Sequence, residues 1–316
     1  MSAAIDEVVS GAVREDRKEG LGASDAPSAV GLSPWKTQYQ LFREKLGLPS
    51  SGTSEEELRE KLHIQMGEAL EPVALAQFCK KSRLQVSERQ RKIVDPAWSR
   101  RWVRVDALSS DGGYVEAKST GFADPDEWGD ENEDGAIPMH YLIQAQHGLA
   151  CGGFAHAWVP LIISNRQFRL YRVKRDEELI QLLTERERAF WQLVEAKEPP
   201  APTNLEDVKL RWPSHKHGEF KRATSEIDAA MHRHAQVRDQ IKTLAGEKEQ
   251  LELAVKTYLA DCSELVAVEG AGLICTWRQA KASQVFNEDK FALEHPDLYR
   301  TYLTERPGSR RFLNKV

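Results

Sequence analysis

The pattern of hydrophobic and polar positions along the first two thirds of the chain predicts helices and strands that alternate in sequence. Residues 20–48 contain a turn of small residues, a short helix, a Ser–Pro break and a second short helix. A helical pattern then runs from Ser54 to Lys81 and begins with three glutamates, which stabilise the amino end of a helix. Pro72 is expected to divide this segment into two helices, because a proline removes a backbone donor.

Alternating patterns on either side of a turn predict a β-hairpin near residue 110. The segment SSDGG separates two stretches typical of strands, and a glycine-rich turn of this kind is a strong hairpin signal. In chain order, the expected elements are strands 84–87, 101–108 and 113–119, helix 139–151, strands 156–163 and 167–173, and helix 177–196. Strands and helices interleaved in this way predict an α/β or α+β core.

The last third of the chain has a different pattern. Three prolines in EPPAPTNLEDV predict a linker. Residues 216–261 lack proline and space apolar residues among many charges, which predicts a long amphipathic helix or a helical hairpin broken near Gly246. A strand within residues 270–281 and a helix at 287–304 are expected to follow.

The linker predicts two domains. Residues 1–205 would form the interleaved core, and residues 206–316 would form a helical, coiled-coil-like extension with a small strand–helix tail. Packing is the expected role of the extension, with oligomerisation or docking of another protein as alternatives.

Composition narrows the class of protein. The chain has 316 residues, 41% hydrophobic and 29% charged, with a formal net charge of −5, which is typical of a soluble globular protein. No apolar run approaches the ~20 residues that span a bilayer, and the amino terminus does not resemble a signal peptide. Four cysteines (Cys79, Cys151, Cys262 and Cys275) form no CxxC pair, so we expect a reduced cytoplasmic setting and no zinc or iron–sulphur site.

Charge is unevenly distributed despite the modest net value. Residues 80–104 contain nine Lys and Arg against Glu88 and Asp95. A solvated surface and a stripe that follows DNA phosphates are both consistent with this stretch. Residues 122–136 are strongly acidic and poor in hydrophobic residues, so a mobile solvated segment is expected there.

The predicted hairpin carries three charged residues, Asp106, Glu116 and Lys118. On a strand, residues i and i+2 share a face, so Glu116 and Lys118 project together while Ala117 points to the other side. Asp106 lies on the preceding strand and is expected to meet them across the hairpin. The same tripeptide recurs at Glu195–Lys197, but on the helix predicted there the two charges point about 200° apart.

Charged residues grouped in this way are suited to metal-dependent hydrolysis. Two carboxylates that converge on one point repel each other unless a cation lies between them, and oxygen ligands suit magnesium or manganese. An adjacent lysine can orient an attacking water or stabilise charge on a phosphate. These are the requirements of phosphodiester hydrolysis. The alternative is a surface salt bridge across the hairpin, worth about 1 kcal/mol or less.

Four segments of the sequence resemble a known family. VDALSSDGGYVEAK matches the PD-(D/E)xK nuclease signature, with Asp106, Glu116 and Lys118 in the expected order. The other three segments resemble the YqaJ-type viral recombinases, which are related to the phage lambda exonuclease: GLGASDAPSAVGLSPWKTQYQLFREKLGL, MGEALEPVALAQF and YLIQAQHGLACGGFAHAWVPLI. The likeness follows the family's order over residues 17–196. It implies a restriction-endonuclease-like core with helices flanking a central mixed sheet.

The resemblance implies roles for the hairpin residues. Asp106 and Glu116 would bind Mg²⁺ or Mn²⁺ together with the carbonyl oxygen of Ala117. Lys118 would position the attacking water.

The segment MGEALEPVALAQF adds a further carboxylate to the predicted site. Glu71 ends a Gly–x–x–x–Glu element that begins at Gly67, and the resemblance implies that Glu71 joins the site directly or through water. Alternatively, Glu71 caps the helix that follows Pro72. Ala107 stands where relatives commonly have glycine, a small change of side chain. The resemblance implies an arginine shortly before the segment that contains Ser24. Three basic residues are candidates for this position: Arg14, Arg17 and Lys18.

The remaining candidates would contact substrate. The resemblance implies that Gln144 lies beside the reacting water or scissile phosphate, that Tyr141 and Gln146 face DNA from the same helix, and that Ser24 contacts a terminal 5′-phosphate. As alternatives, the two glutamines form an ordinary polar helix edge, and Ser24 or Asp25 caps the following helix.

Three functions are consistent with these features. We expect a metal-dependent exonuclease that resects linear double-stranded DNA from the 5′ end for phage-type recombination, in a bacterial cytoplasm and with a single-strand annealing protein as partner. The second is a related PD-(D/E)xK endonuclease, or a RecB-like or Cas4-like exonuclease, although no cysteine cluster or helicase module supports the latter. The third is a DNA-end-binding or scaffold protein that forms a homo-oligomer through its long C-terminal helix.

Overall fold

A computed structural model describes residues 18–49, 62–122, 127–164, 166–269, 272–305 and 308–316. The chain divides into two compact units, Met1–Trp212 and Pro213–Val316. The predicted helix start at Ser54 and the candidates Arg14 and Arg17 lie outside the described residues, as do positions 123–126 of the acidic segment.

The first unit combines helices and strands. Its helices within the described ranges are α1 (Ala26–Ala29), α2 (Gln38–Lys45), α3 (Leu62–Ser82), α4 (Met139–Gly152), α5 (Glu177–Ala196) and α6 (Leu205–Arg211). Its strands are β1 (Leu21–Gly22), β2 (Val86–Ser87), β3 (Arg91–Val94), β4 (Arg101–Val105), β5 (Ala107–Ser109), β6 (Tyr114–Val115), β7 (Lys118–Thr120), β8 (His156–Ile163) and β9 (Gln167–Lys174).

Strand β8 lies at the centre of a mixed sheet. It pairs in parallel with β6 and β7, and antiparallel with β9. Strands β5 and β2 extend the sheet beyond β6, while β4 pairs with β1 and β3 in a smaller sheet. The predicted α+β core with a central mixed sheet is therefore confirmed.

Helices α3 and α4 cover opposite faces of the sheet. Along β8, Val159 and Leu161 belong to the same buried cluster as Leu149 of α4, whereas Trp158 packs with Phe78 of α3. Side chains alternate between the faces of a strand, and both faces of β8 are apolar because both are covered.

Gly148 allows α4 to approach the sheet closely. A Cβ atom at this position would lie 2.4 Å from the Tyr114 hydroxyl oxygen. That hydroxyl donates to the carbonyl oxygen of Ala145 at 2.9 Å. The contact fixes α4 over β6, the strand that leads directly to Glu116.

Helix α3 corrects the expectation that Pro72 divides this segment. The helix is continuous through Pro72, whose ring is exposed, while Ala74, Leu75 and Phe78 are buried. The packing of these apolar side chains outweighs the hydrogen bond lost at the proline. Glu71 therefore lies in the interior of a helix, and the alternative that it caps a new helix is wrong.

Both strands of the predicted hairpin are interrupted at the candidate site. β4 and β5 flank Asp106, and β6 and β7 flank Glu116 and Ala117. At the interruption, Ala117 N donates to Asp106 Oδ2 at 2.7 Å, which joins the two interrupted segments. Strand β3, within the basic stretch, is not among the predicted strands.

Helix α6 belongs to the first unit. Asp207 is fully buried, and its carboxylate accepts hydrogen bonds from Thr37 Oγ1 at 2.8 Å and Thr203 N at 3.0 Å. The compact unit accordingly ends at Trp212, beyond the predicted boundary at 205/206. The functional division into a nuclease domain and an extension stays a prediction.

The second unit is built on the long helix α7 (Ser225–Leu259), which is continuous through Gly246. A two-stranded antiparallel sheet, β10 (Glu264–Val266) and β11 (Leu273–Thr276), follows. The helix predicted at 287–304 is observed as α8 (Glu288–Glu294) and α9 (Pro296–Tyr302), since proline favours the first turn of a new helix. Within the described part of the chain, no helix has both the length and the apolar character that crossing a membrane requires.

Candidate active site

Asp106 and Glu116 come together across the interrupted hairpin. Strand β5 pairs with β6 so that Ala107 lies opposite Val115, which makes the residue before β5 and the residue after β6 neighbours. The hydrogen bond from Ala117 N to Asp106 Oδ2 holds the aspartate at this place. The structure thus brings the two predicted carboxylates together.

Lys118 is held beside Glu116 by three mutual contacts. Lys118 Nζ lies 2.8 Å from Glu116 Oε1 and 3.1 Å from Gln144 Oε1. Gln144 Nε2 donates to the same Glu116 oxygen at 2.6 Å. The ammonium also lies 5.0 Å from the centre of the Tyr141 ring, within the range of a cation–π contact. Helix α4 therefore supplies two side chains that orient the lysine.

Glu71 lies on α3, and one intermediate side chain connects it to the carboxylate of Asp106. Gln90 Nε2 donates to Glu71 Oε2 at 3.0 Å and to Asp106 Oδ1 at 3.3 Å. Arg89 pairs with the other Glu71 oxygen at 3.3 Å. Glu71 is thereby linked to Asp106 through the side-chain amide of Gln90.

Arg89 and Gln90 are the contact residues that sequence reasoning missed. They lie in the turn between β2 and β3, where Glu88 and Gln90 have positive φ angles of 46° and 55°. Such angles are uncommon for residues other than glycine and often occur at functional sites. The sequence marks this segment as basic, but no pattern in it indicates that the turn contacts Glu71.

Burial, followed by the charge of Glu116, raises the pKa of Asp106 from 3.8 to about 8, although Lys118 opposes the shift. Burial lowers the pKa of Lys118, but Glu116 and Asp106 outweigh that effect, so the pKa of Lys118 is also raised. One ammonium therefore does not compensate the carboxylates around it. A bound divalent cation would offset the remaining negative charge of these carboxylates.

The donor atoms of the site fit such a cation. The carboxylates of Asp106 and Glu116 and the carbonyl oxygen of Ala117 are hard oxygen donors, which magnesium and manganese prefer. They line an open cavity of about 310 Å³ together with Gly67, Glu71 and Lys118. Within the described residues, no cluster of three or more His, Cys, Asp or Glu side chains is arranged as a metal site.

Two predicted substrate contacts lie elsewhere. Gln146 is almost fully buried; its Nε2 donates to Lys174 O at 2.7 Å, and its Oε1 accepts from Asp176 N at 3.0 Å. The structure gives Gln146 this role in the fold and does not bring it to Asp106, Glu116, Lys118 and Gln144, which are called the Lys118 group below. Ser24 is exposed in a short 3₁₀ turn, and Asp25 is buried and pairs with Lys45 at 2.6 Å instead of capping α1.

The basic stretch separates into buried and exposed residues. Arg101 is buried, where it pairs with Asp95 at 2.6 Å and with Glu187 at 3.5 Å, so it cannot follow a DNA backbone. Lys80 and Arg83 are exposed. For these exposed residues the two interpretations of the stretch stay open.

Comparison with known proteins identifies the domain that carries this site. Residues 14–155 match the family model described as a YqaJ-like viral recombinase domain. This matched segment is called the YqaJ-like domain below. The YqaJ-like domain includes every residue predicted for the site. The chain is also 25% identical, over 292 residues, to the uncharacterized protein YqaJ of Bacillus subtilis (strain 168), with 90% of this chain and 88% of that protein covered.

Two solved structures are similar to this chain at lower sequence identity. The alkaline exonuclease LHK-Exo from Laribacter hongkongensis is 21% identical, with 57% of this chain and 90% of that chain covered and a TM-score of 0.43. A phage-related exonuclease from Haemophilus somnus 129PT is 13% identical, with 57% and 96% covered and a TM-score of 0.42.

Proposed function

We propose that this protein is a metal-dependent DNA exonuclease that resects linear double-stranded DNA from the 5′ end. The observation that supports the proposal is the convergence of Asp106, Glu116 and Lys118, with Gln144 bonded to two of them. The match of residues 14–155 to a viral recombinase domain model agrees with a role in DNA recombination.

The side chains of the site have separate tasks in the proposed reaction. Asp106, Glu116 and the Ala117 carbonyl would hold Mg²⁺ or Mn²⁺, which when bound supplies Lewis-acid activation of water and of a phosphoryl oxygen. The Lys118 ammonium, oriented by Glu116 and Gln144, donates to the attacking water or to a phosphate oxygen and stabilises the charge that develops there.

Three further residues position the carboxylates and the substrate. Gln90 links Glu71 to Asp106, so Glu71 acts on the site through the Gln90 amide or through water. Ser24, exposed at the 3₁₀ turn, is proposed to contact a terminal 5′-phosphate.

Self-association through α7 is a further part of the proposal. Counted from Ile227 in alternating steps of three and four residues, α7 carries a heptad pattern typical of coiled coils. The positions are Ile227, Ala230, His234, Val237, Ile241, Leu244, Lys248, Leu251, Val255 and Tyr258. We propose that the protein acts as a homo-oligomer in the cytoplasm of a bacterium that carries the phage or prophage, together with a single-strand annealing protein.

Purified protein incubated with linear and covalently closed circular duplexes, in Mg²⁺ or in EDTA, tests the proposal. Linear DNA should be degraded in Mg²⁺ only, closed circles should be spared, and a 5′-phosphate should be preferred to a 5′-hydroxyl. Ser24→Ala should reduce that preference more than it reduces the overall rate. Rapid cutting of closed circles would favour the endonuclease alternative, and binding without cleavage would favour the scaffold alternative.

A further inference from the structure

A group of exposed apolar side chains lies beside the proposed active site. Trp35 is 69% exposed, Met139 is 56% exposed and Leu32 is 54% exposed. Leu32, Met139 and His140 line an open cavity of about 600 Å³, and the Trp35 ring meets the His140 ring edge-on at 4.5 Å. Leu32, Trp35, Met139 and His140 are called the Trp35 surface below.

The Trp35 surface is supported from beneath by a row of aromatic rings. His140 contacts Tyr141 at 4.1 Å between ring centres, Tyr141 contacts Trp128 at 5.6 Å, and Trp128 contacts Tyr171 at 5.3 Å. Trp128 and Tyr171 are buried. The exposed indole therefore rests on a packed support.

The loop that carries Trp35 is fixed as well. Ser33 Oγ accepts hydrogen bonds from Trp35 N at 3.3 Å and from Lys36 N at 3.2 Å. Thr37 then caps α2 by accepting from Gln40 N. A ring held in this way loses little conformational freedom when a ligand binds to it.

The Trp35 surface is close to the catalytic lysine. Lys118 Nζ lies 5.0 Å from the centre of the Tyr141 ring, and the Tyr141 and Trp35 ring centres are 6.1 Å apart. Successive nucleotides of a stacked strand rise by about 3.4 Å. A base about one to three nucleotides from a phosphate at Lys118 can therefore reach the indole of Trp35.

The chemistry of the surface suits a base better than a phosphate. No lysine or arginine is among the described residues that line the cavity, and Glu127 adds a negative charge. Burial, together with the charge of Lys118, lowers the pKa of His140, so this imidazole is uncharged at neutral pH. An indole beside a neutral imidazole and apolar side chains offers stacking and little attraction for phosphate.

We propose that the Trp35 surface stacks on a nucleobase of the DNA strand whose phosphate is held at Lys118. The proposal rests on the proposed nuclease function, and it adds a base-stacking site to the phosphate contacts of the reaction. It places the cut strand along α4, with its backbone at Lys118 and a neighbouring base at Trp35.

Binding of a short 5′-phosphorylated duplex in a Ca²⁺ buffer, followed by fluorescence anisotropy, tests this proposal. Stacking on an aromatic ring is worth enough that Trp35→Ala should weaken binding about 5- to 150-fold. Trp35→Phe should retain most of the affinity because it keeps a ring, whereas Trp35→Leu should resemble Trp35→Ala. Trp212→Ala is the control, because Trp212 is also exposed but packs over Arg211 at the end of α6.

Abasic sites in the terminal nucleotides of the same strand provide the second arm. The wild-type protein should lose affinity when the stacked base is removed, and Trp35→Ala should show no further loss. Affinity of Trp35→Leu equal to that of Trp35→Phe, or an abasic penalty that persists in Trp35→Ala, would overturn the stacking role. A wild-type protein that neither binds nor cleaves duplex DNA in Mg²⁺ would instead overturn the proposed function.

Discussion

The two units of the chain treat their apolar side chains in opposite ways. In the first unit, Val103 of β4 and Leu161 of β8 are fully buried (0% exposed), and helices cover both faces of the sheet. In the second unit, Ile241 and Leu251 of α7 are 61% and 62% exposed. Apolar residues recur at regular spacing in both units, but only the first unit packs them into a layered core.

This difference predicts that catalysis and assembly belong to different units of the chain. A helix with an exposed apolar stripe is normally covered by another surface, whereas the first unit already encloses a core and positions the Lys118 group on it. Among the described hydrophobic residues from Pro213 onward, Leu259 alone is buried. The first unit is therefore expected to carry catalysis, and the second is expected to recruit a partner helix.

The largest effect is expected at Asp106. Asp106→Asn should abolish cleavage in Mg²⁺, because the amide retains an oxygen that can accept from Ala117 N but loses the charge that a divalent cation requires. Nuclease assays with the variant, and with wild type in EDTA, check this. Cleavage that persists in either sample would remove the metal site from the first unit.

The two glutamines of α4 should fail in different ways. Gln144→Ala should lower the cleavage rate about 10- to 100-fold without changing the melting temperature, since Gln144 orients Lys118 and Glu116 on the surface of the cavity. Gln146→Ala should leave Lys174 O and Asp176 N without their buried partner, at a cost of about 1–3 kcal/mol.

Melting curves and initial rates at low temperature measure both effects of these glutamine variants. If Gln146→Ala lost rate without losing stability, Gln146 would have to be returned to the substrate contacts.

Removal of the second unit should change the oligomeric mass of the protein more than its rate of DNA cleavage. A chain that ends at Trp212 keeps Asp207 and its bond to Thr37, so the first unit should fold and cleave short duplexes at nearly the full rate. Light scattering should show a smaller oligomer, because α7 is absent. A shortened protein that is folded and catalytically dead would show that the second unit contributes to the active site.

A smaller effect concerns the pH dependence of stability without metal. Because the pKa of Asp106 is raised from 3.8 to about 8, the folded protein holds this proton more tightly than the unfolded chain does. Its contribution to stability is complete below about pH 4 and is lost as the pH rises through 8. Asp106→Asn removes this loss.

In EDTA, the melting temperature of Asp106→Asn should therefore exceed that of wild type by more at pH 9 than at pH 6. A difference that is the same at both pH values would contradict the shifted pKa.

Local sequence patterns predicted the elements of the first unit better than the contacts between them. The helix at 177–196 and the strand at 156–163 are observed with the predicted bounds, because their periodicity agrees with the faces they bury. Pro72 misled the prediction, since the packing of α3 against the sheet is not visible in a local pattern.

The candidate site shows the same limit. The two-residue period of a strand predicts Glu116 and Lys118 on one face, and the two side chains are in contact although Glu116 and Ala117 lie between β6 and β7. The pairing of β5 with β6 places Asp106 opposite Glu116. The link from Gln90 to Glu71 depends on a turn with positive φ at residues other than glycine, which composition does not indicate. Gln144 and Gln146 are two residues apart on one helix, and only the position of α4 on the sheet distinguishes their roles.

The same tripeptide on two different elements provides the most direct measurement of where catalysis lies. Glu116–Lys118 joins β6 to β7 at the cavity, whereas Glu195–Lys197 ends α5 on the surface. We expect Lys118→Ala to lower the rate of Mg²⁺-dependent cleavage of a linear duplex by about 10²–10³, since it removes a group that stabilises developing charge. Lys197→Ala should leave the rate nearly unchanged. Equal losses in the two variants, or an active Lys118→Ala protein, would contradict the placement of the active site at the interrupted hairpin.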